Sequence, residues 1–177
     1  MVESDLESLL KAVKKRAEEL GIKTIVAAST SGETGAKVSE SFSGYKVIVV
    51  THSDGFAGPD TQELKTENRE RILKAGGKIL TTTHAFGGLG RAVRRKLGTY
   101  QSDEIVAYTL RIFGQGTKVA VEIALMAADA GLVGTKEDVI SIGGSGNGAD
   151  TAIVLKPANV QDFFNVKVHE IIVKPWL

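Results

Sequence analysis

Three short runs of residues that are apolar on both faces, with helix-length segments between them, constrain the fold of this chain most. The runs are KTIVAA at 23–28, KVIVV at 46–50 and GKILTT at 77–82. Buried strands of a parallel sheet have this pattern because helices cover both faces of the sheet, and parallel neighbours need a crossover connection. Apolar periodicity and end signals predict helices at 4–20, 35–42 and 61–75. Asp60 and Glu63 form a predicted capping box for the third helix.

The second half of the chain predicts further helices and then a β-rich end. Helices are predicted in RAVRRKLG, SDEIVAYTLRIFG and TKVAVEIALMAADAG, and strands at 138–144, 151–157 and 166–174. No helix fits between the first two of these strands, so they form either a hairpin or a close-packed pair. The predicted fold class is therefore α/β, a three-layer α/β/α arrangement with a mostly parallel sheet that is mixed at one edge. One domain over residues 1–177 is expected, since domains average about 150 residues.

Composition excludes several classes of function. The chain has 22 Lys plus Arg against 21 Asp plus Glu, and a formal charge of +1 does not favour nucleic acid or a membrane surface as a partner. It has no cysteine, which excludes disulfides and thiol nucleophiles, and its 3 histidines do not make a convincing metal site. We expect a cytoplasmic location, because the acidic start of the chain does not resemble a secretory signal and no apolar run reaches about 18 residues.

Polar and glycine-rich segments follow the predicted strands, at the edge of an α/β sheet where ligands collect. The loop after the first strand leads directly into a helix and offers hydroxyls, backbone N–H groups and the positive helix end, which together favour phosphate. It is not a Walker loop, because Ala36 follows Gly35. The alternative is that its Ser and Thr residues cap the helix and its glycines make the turn. The predicted ligand-binding residues of this loop are Ser29, Thr30, Ser31, Gly32, Glu33 and Thr34.

The other strand ends supply the rest of the predicted site. A second glycine loop over 143–148 allows close approach of a ligand, or else is a tight turn between two strands. His52 and His84 are candidate proton-transfer groups, although their positions favour a hydrogen-bonded structural or surface role for each. The basic cluster at 91–96 is either a lid over an anion or a solvated helix face. The predicted ligand-binding residues here are Thr51, His52, Thr83, His84, Gly143, Gly144, Ser145 and Gly146.

The order strand IVAAS, loop TSGETG, helix AKVSESF and strand KVIVVTH resembles the C-terminal α/β domain of pyruvate kinase. In some members of that family the matching loop cradles a sugar phosphate as an effector. The chain also resembles small stand-alone archaeal proteins related to this domain, in which the pattern GGxGxGADTA recurs, here at 143–152. The resemblance implies a phosphate pocket at Thr30–Thr34, no pyruvate kinase activity, and flavin mononucleotide (FMN) as a cofactor with no assigned reaction.

Three hypotheses follow from these observations. The chain is a binding protein for FMN or another small phosphorylated ligand, an enzyme acting on a phosphorylated metabolite or through bound flavin, or a regulatory sensor that responds to a sugar phosphate. The sequence does not separate the second from the third. A homo-oligomer that pairs through the apolar C-terminal segment IIVKPWL is also expected.

Overall fold

The structure of the protein is a computed structural model that describes residues 3–146 and 148–176. The helices are α1 (Glu3–Leu20), α2 (Glu33–Ser41), α3 (Thr66–Lys74), α4 (Leu89–Leu97), α5 (Ser102–Leu110) and α6 (Gln115–Asp129). The strands are β1 (Thr24–Ala28), β2 (Lys46–Val50), β3 (Lys78–Leu80), β4 (Val139–Gly143), β5 (Thr151–Lys156) and β6 (Lys167–Val173). Short 3₁₀ helices occupy Arg111–Phe113 and Val160–Asn165. Asn147, in the predicted second glycine loop, lies outside the described residues.

The six strands form one sheet in the order β3-β2-β1-β4-β5-β6. Strands β1 to β4 are parallel, whereas β5 runs antiparallel to both β4 and β6. The predicted fold class is therefore confirmed, including the mixed edge. Of the two arrangements left open for 138–144 and 151–157, the hairpin is the one that forms, with Gly143 opposite Thr151.

Helices cover both faces of the sheet and enclose two cores. In β1, Ile25 and Ala27 face the core beneath α1 and α2, while Val26 faces the core beneath α6. This alternation explains why the strand is apolar at every position, since each face of a parallel sheet is buried. The arrangement aligns the carboxyl ends of β1, β2 and β3 at one edge, where the predicted site lies.

Helix α6 lies close against the sheet because small residues meet at the contact. A Cβ atom added to Gly143 would lie 2.3 Å from the carbonyl oxygen of Gly116 at the start of α6. The hydroxyl of Ser141 donates a hydrogen bond to the carbonyl oxygen of Ala120 at 2.7 Å. The N-terminus of α6 is thus fixed beside the carboxyl end of β4.

The predicted start of the third helix is wrong. Helix α3 begins at Thr66 rather than Thr61, and Asp60 lies in a turn with φ +55° instead of capping a helix. Residues 61–65 form tertiary hydrogen bonds in place of helical ones: the N–H of Lys65 donates to the carbonyl oxygen of Ser31 at 3.1 Å. The local capping pattern is overridden because the segment packs beside the β1–α2 loop.

Among the residues that the structure describes, no helix combines the length and the apolar character needed to cross a membrane.

Candidate functional site

The β1–α2 loop is held in place by its own side chains and by α3. The hydroxyl of Ser29, which is buried, accepts a hydrogen bond from the N–H of Gly35 at 3.0 Å, and so it satisfies a backbone donor in the first turn of α2. Gly32 has φ +90°, and a Cβ atom there would lie 2.5 Å from Leu64 and 2.6 Å from Asn68. Asn68 also donates to the carbonyl oxygen of Ser31 at 3.0 Å. Part of the loop's Ser and Gly content therefore serves the turn.

Other polar groups of this loop have no partner within it. The hydroxyls of Ser31 and Thr34 form no hydrogen bond with any described residue, and Thr30 Oγ1 lies 3.5 Å from His52 Nε2. The carboxylate of Glu33 instead pairs with Arg71 at 3.2 Å and with Lys37 at 3.5 Å, along the outer side of α2. Glu33 can thus offer an anion only its backbone N–H, whereas Ser31 and Thr34 can also offer hydroxyls.

His52, which follows β2, connects the β1–α2 loop with the next strand end. Its Nδ1 lies 2.7 Å from a carboxylate oxygen of Glu63, the residue that the sequence placed in a capping box for α3. Its ring centroid lies 3.9 Å from that of Phe56 and 5.4 Å from that of His84. A carboxylate at Nδ1 orients the imidazole, which leaves Nε2 to face the site.

His84, which follows β3, is the most enclosed of the predicted site residues with a titratable side chain. Its ring stacks on Phe56 with centroids 4.8 Å apart, and its Nδ1 lies 3.9 Å from a carboxylate oxygen of Glu122. Its Nε2 is buried and has no hydrogen-bond partner among the described residues. Burial lowers the pKa of His84 below its ordinary value, against the opposing effect of Glu122. The ring is therefore neutral at pH 7.

Sequence reasoning missed two charged residues of α6 that lie beneath His84. The side chains of Lys118 and Glu122 are only 7% and 4% exposed, and they form an ion pair with each other. Glu122 also accepts a hydrogen bond from the N–H of Phe86 at 2.9 Å. Burial lowers the pKa of Lys118, although Glu122 partly offsets this effect. The signal for this pair was available, since a Lys and a Glu four residues apart interrupt an otherwise small and apolar helix face.

A cavity of about 480 Å³ opens beside Phe56 and is lined by three of the four residues of the predicted basic cluster. Arg91 lies over the Phe56 ring, 4.9 Å from its centroid, and Arg91, Arg95 and Lys96 have no carboxylate partner among the described residues. Arg94 differs, because it pairs with Glu104 at 2.5 Å. The lining residues are Ser53, Gly55, Phe56, Gly87, Gly88, Arg91, Ala92, Arg95 and Lys96. Three cations thus border one cavity at the carboxyl edge.

The remaining predicted residues occupy supporting or peripheral positions. Thr51 is buried and bonds Thr81 at 2.6 Å, so it joins the ends of β2 and β3. Thr83 is exposed, and its Cγ2 would lie 2.9 Å from a Cβ atom added to Gly88. In the hairpin between β4 and β5, a Cβ atom added to Gly144 would lie 1.9 Å from the carbonyl oxygen of Gly148.

Backbone geometry therefore accounts for the glycines at 143 and 144. Gly143 abuts α6, Gly144 abuts the returning strand of the hairpin, and the N–H of Ser145 donates to Asp150 at 2.8 Å. Ser145 and Gly146 both lie in the exposed turn. Binding of a ligand by this loop stays a prediction.

The sequence profile of the pyruvate kinase alpha/beta domain matches residues 7–155. The chain belongs to this family. The match begins within α1, extends over α2 to α6 and β1 to β4, and reaches Leu155 in β5. The matched residues therefore include five strands of the sheet and the β1–α2 loop on which the predicted phosphate site depends, whereas β6 follows them.

Two solved structures are similar to this pyruvate kinase alpha/beta domain in part. One is a pyruvate kinase from Cryptosporidium parvum, with 13% identity and a TM-score of 0.44; the similarity covers 87% of this chain and 23% of the kinase chain. The other is a mutant of O-ureido-L-serine synthase with bound O-ureido-L-serine, with 21% identity and a TM-score of 0.34. The similarity covers 71% of this chain and 47% of the synthase chain. This chain thus spans about a quarter of the kinase and about half of the synthase.

Proposed function

We propose that this protein binds a phosphorylated small molecule at the carboxyl ends of β1, β2 and β3, and that FMN is this ligand. One observation carries the proposal: a continuous series of side-chain contacts connects the β1–α2 loop with the basic cavity. It runs from Thr30 to His52 at 3.5 Å, from the His52 ring to Phe56 at 3.9 Å, and from Phe56 to Arg91 at 4.9 Å. A ligand with a phosphate and an extended planar part suits such a series.

The β1–α2 loop is the proposed phosphate end. The N-terminus of α2 presents N–H groups that no helical carbonyl satisfies, and its dipole favours an anion. The hydroxyls of Ser31 and Thr34, which have no partner among the described residues, add two donors to the same loop and helix start. Hydroxyl donors and helix N–H groups together form an anion site without requiring a lysine.

The cavity beside Phe56 is the proposed site of the ring system. Its volume of about 480 Å³ lies within the usual range of about 300–1,000 Å³ for small-molecule sites. Gly55, Gly87 and Gly88 leave its walls free of side chains, and Phe56 offers an aromatic face. The Nε2 of His84, which stacks on Phe56, is buried without a hydrogen-bond partner among the described residues and adds a polar group next to this cavity. These residues fit FMN, which supplies electron-transfer chemistry when bound.

Removal of the two loop hydroxyls is expected to weaken FMN binding. In Ser31→Ala/Thr34→Ala, each lost charge-assisted contact costs about 1–3 kcal/mol, so the dissociation constant rises at least roughly tenfold. The variant Arg95→Glu/Lys96→Glu reverses two charges of the cavity and should also weaken FMN binding. This loss of affinity should grow as the ionic strength falls, because the screening of charges decreases. Quenching of flavin fluorescence during titration measures both effects.

Two controls make this experiment specific. Ser8→Ala on the exposed surface of α1 and Lys74→Glu at the end of α3, on the opposite edge of the sheet, should leave the affinity unchanged. Riboflavin, which lacks the phosphate, should bind at least tenfold more weakly than FMN to the unsubstituted protein. Equal binding of riboflavin and FMN, or full affinity in Ser31→Ala/Thr34→Ala, would refute the phosphate placement.

A second candidate function, proton transfer on a bound phosphorylated metabolite, is favoured by the two imidazoles at the site. Each Nδ1 faces a carboxylate, Glu63 at 2.7 Å for His52 and Glu122 at 3.9 Å for His84. This arrangement is typical of general acid–base groups, since the carboxylate orients the ring. The neutral His84 would be the base.

The His84→Gln variant separates this candidate from simple binding. If proton transfer occurs, exchange of a ligand carbon-bound hydrogen with deuterated water, followed by NMR, should fall roughly 100-fold or more while affinity changes less than threefold. A matched His169→Gln variant removes an exposed imidazole on β6 and should have no effect. Loss of affinity and exchange together would assign His84 a structural role.

A further inference from the structure

A second cavity, of about 380 Å³, lies at the edge of the sheet opposite the candidate site. Strand β5 runs antiparallel to β4 and pairs Leu155 with Val139, so the end of β5 lies where the parallel strands begin. The volume is within the range of about 300–1,000 Å³ that small-molecule sites usually have. We call it the amino-edge cavity, and its lining residues are Thr135, Lys156, Pro157, Ala158, Asn159, Asp162, Asn165 and Lys167. Most of them are polar or charged, so hydrogen bonds and charge would hold a ligand here.

The 3₁₀ segment between β5 and β6 forms one wall of the amino-edge cavity and has two different sides. Its apolar side chains recur every three residues and pack against the core beneath α6: Val160, Phe163 and Val166. Its polar side chains recur with the same spacing and line the cavity: Asn159, Asp162 and Asn165. A period of three residues is that of a 3₁₀ helix. The core therefore holds one side of the segment, and the polar side is presented to the cavity.

Hydrogen bonds fix this wall to the end of α6. A carboxylate oxygen of Asp129 accepts hydrogen bonds from the side-chain amide of Asn159 at 3.0 Å and from the N–H of Val160 at 3.1 Å. The N–H of Asp162 donates to the carbonyl oxygen of Asn159 at 2.9 Å. The wall is therefore formed by the protein alone, and such preorganisation lowers the entropic cost of binding a ligand.

Two lysines lie directly opposite each other where β5 ends and β6 begins. Lys156 is the last residue of β5 and pairs with Lys167, the first residue of β6. Like charges at directly opposite positions destabilise a sheet, since their Cβ atoms are only about 4.5–5.5 Å apart. Neither lysine forms an ion pair with a residue that the structure describes, and Asp138 on the adjacent segment pairs with His169 at 3.1 Å instead. An anion in the cavity would therefore relieve a repulsion that the protein leaves uncompensated.

Asp162 is the one acidic residue that lines the amino-edge cavity. It forms no ion pair with either lysine among the described residues. An ionised carboxylate accepts hydrogen bonds and donates none, so beside an anionic ligand it selects for an O–H group on that ligand. Thr135 and Asn165 add a hydroxyl and an amide that donate to oxygen atoms. The charges and donors of the cavity thus match a ligand with two negative groups and one hydroxyl.

We propose that the amino-edge cavity binds a small dicarboxylate that carries a hydroxyl group. A lysine ammonium is a compact point charge, so two lysines on different strands suit two separate carboxylates. The ligand hydroxyl donates to Asp162. This site is independent of the proposed FMN site, which lies at the opposite edge of the sheet.

Isothermal titration calorimetry of the full chain at low ionic strength tests this proposal with three probes. Malate has two carboxylates and a hydroxyl, succinate lacks the hydroxyl, and lactate lacks the second carboxylate. Malate should bind roughly fivefold more tightly than succinate and roughly tenfold more tightly than lactate. In Lys156→Gln/Lys167→Gln two charge-assisted contacts are lost, so the dissociation constant for malate should rise roughly 30-fold or more.

Matched variants assign the binding to this cavity. Lys46→Gln/Lys78→Gln removes two exposed lysines from the starts of β2 and β3, at the same edge of the sheet, and should leave the malate affinity unchanged. Asp162→Asn should remove the preference for malate over succinate, because the amide no longer requires a donor from the ligand. If Lys156→Gln/Lys167→Gln loses circular dichroism signal, Lys167→Gln alone, at an exposed residue, replaces it.

Two results would overturn the proposal. One is the absence of malate binding to the unsubstituted protein at millimolar concentration. The other is equal malate affinity in the unsubstituted protein and in folded Lys156→Gln/Lys167→Gln, which would place the bound anion at a different site, such as the basic cavity beside Phe56.

Discussion

Replacement of Gly143 by alanine is expected to lower the free energy of unfolding by about 3 kcal/mol. The added Cβ atom would lie 2.3 Å from the carbonyl oxygen of Gly116 and 2.9 Å from the backbone N of Ala120. Both atoms belong to the backbone of α6, so no side chain can rotate away, and the helix must move from the sheet. Urea denaturation followed by circular dichroism measures the change.

Gly134→Ala is the matched control for this substitution. Gly134 is exposed, no heavy atom lies within 4 Å of an added Cβ, and its φ is not in the left-handed region. Its stability should stay the same or rise by up to about 1 kcal/mol, because alanine restricts the unfolded chain. A Gly143→Ala variant as stable as Gly134→Ala would show that the contact between β4 and α6 yields easily.

Glu122→Leu is expected to be similarly destabilising, at about 3 kcal/mol, for an electrostatic reason. It leaves the buried Lys118 ammonium without its carboxylate and removes the acceptor for the N–H of Phe86. Loss of one partner from a buried pair costs more than loss of both, since an unpaired charge in the interior is the main penalty. Chemical denaturation at pH 7 measures the cost.

Two comparisons identify the buried charge as the cause. Glu40→Leu removes a carboxylate from an exposed pair with Arg71 and should cost less than about 1 kcal/mol. Lys118→Met/Glu122→Leu removes both buried charges and should regain part of the stability lost in Glu122→Leu. A double variant less stable than Glu122→Leu would contradict this account.

Much of the fold could be predicted because its signals are local. The strands at 46–50, 138–144 and 151–157 were placed within a residue of β2, β4 and β5. They were recognisable because parallel strands buried on both faces form continuous apolar runs. The start of α3 could not be predicted, because residues 61–65 bond the β1–α2 loop, and such bonds leave no local pattern.

The sequence predicts which strand ends form the candidate site, but it does not predict which side chains contact each other there. The sequence pointed to His52 and His84 but not to the carboxylates that face them. Glu63 and Glu122 lie 11 and 38 residues further along the chain. The sequence pattern assigns Glu63 to a capping box for α3. This assignment is wrong, because α3 begins at Thr66 and the Glu63 carboxylate faces His52. Glu122 lies in an apolar helix face, and the only sequence signal of its pairing with Lys118 is the separation of four residues between them.

The sequence by itself determined the fold class, the parallel strands and the glycine-rich turns, because each depends on interactions within a few residues or on simple burial. Only the tertiary structure decided which polar groups meet. In the structure, Phe56 lies between His84 and Arg91. Arg95 lines the cavity, whereas its neighbour Arg94 pairs with Glu104. The physical reason is that side-chain contacts between distant segments depend on the relative positions of whole helices and strands, and residue spacing does not encode these.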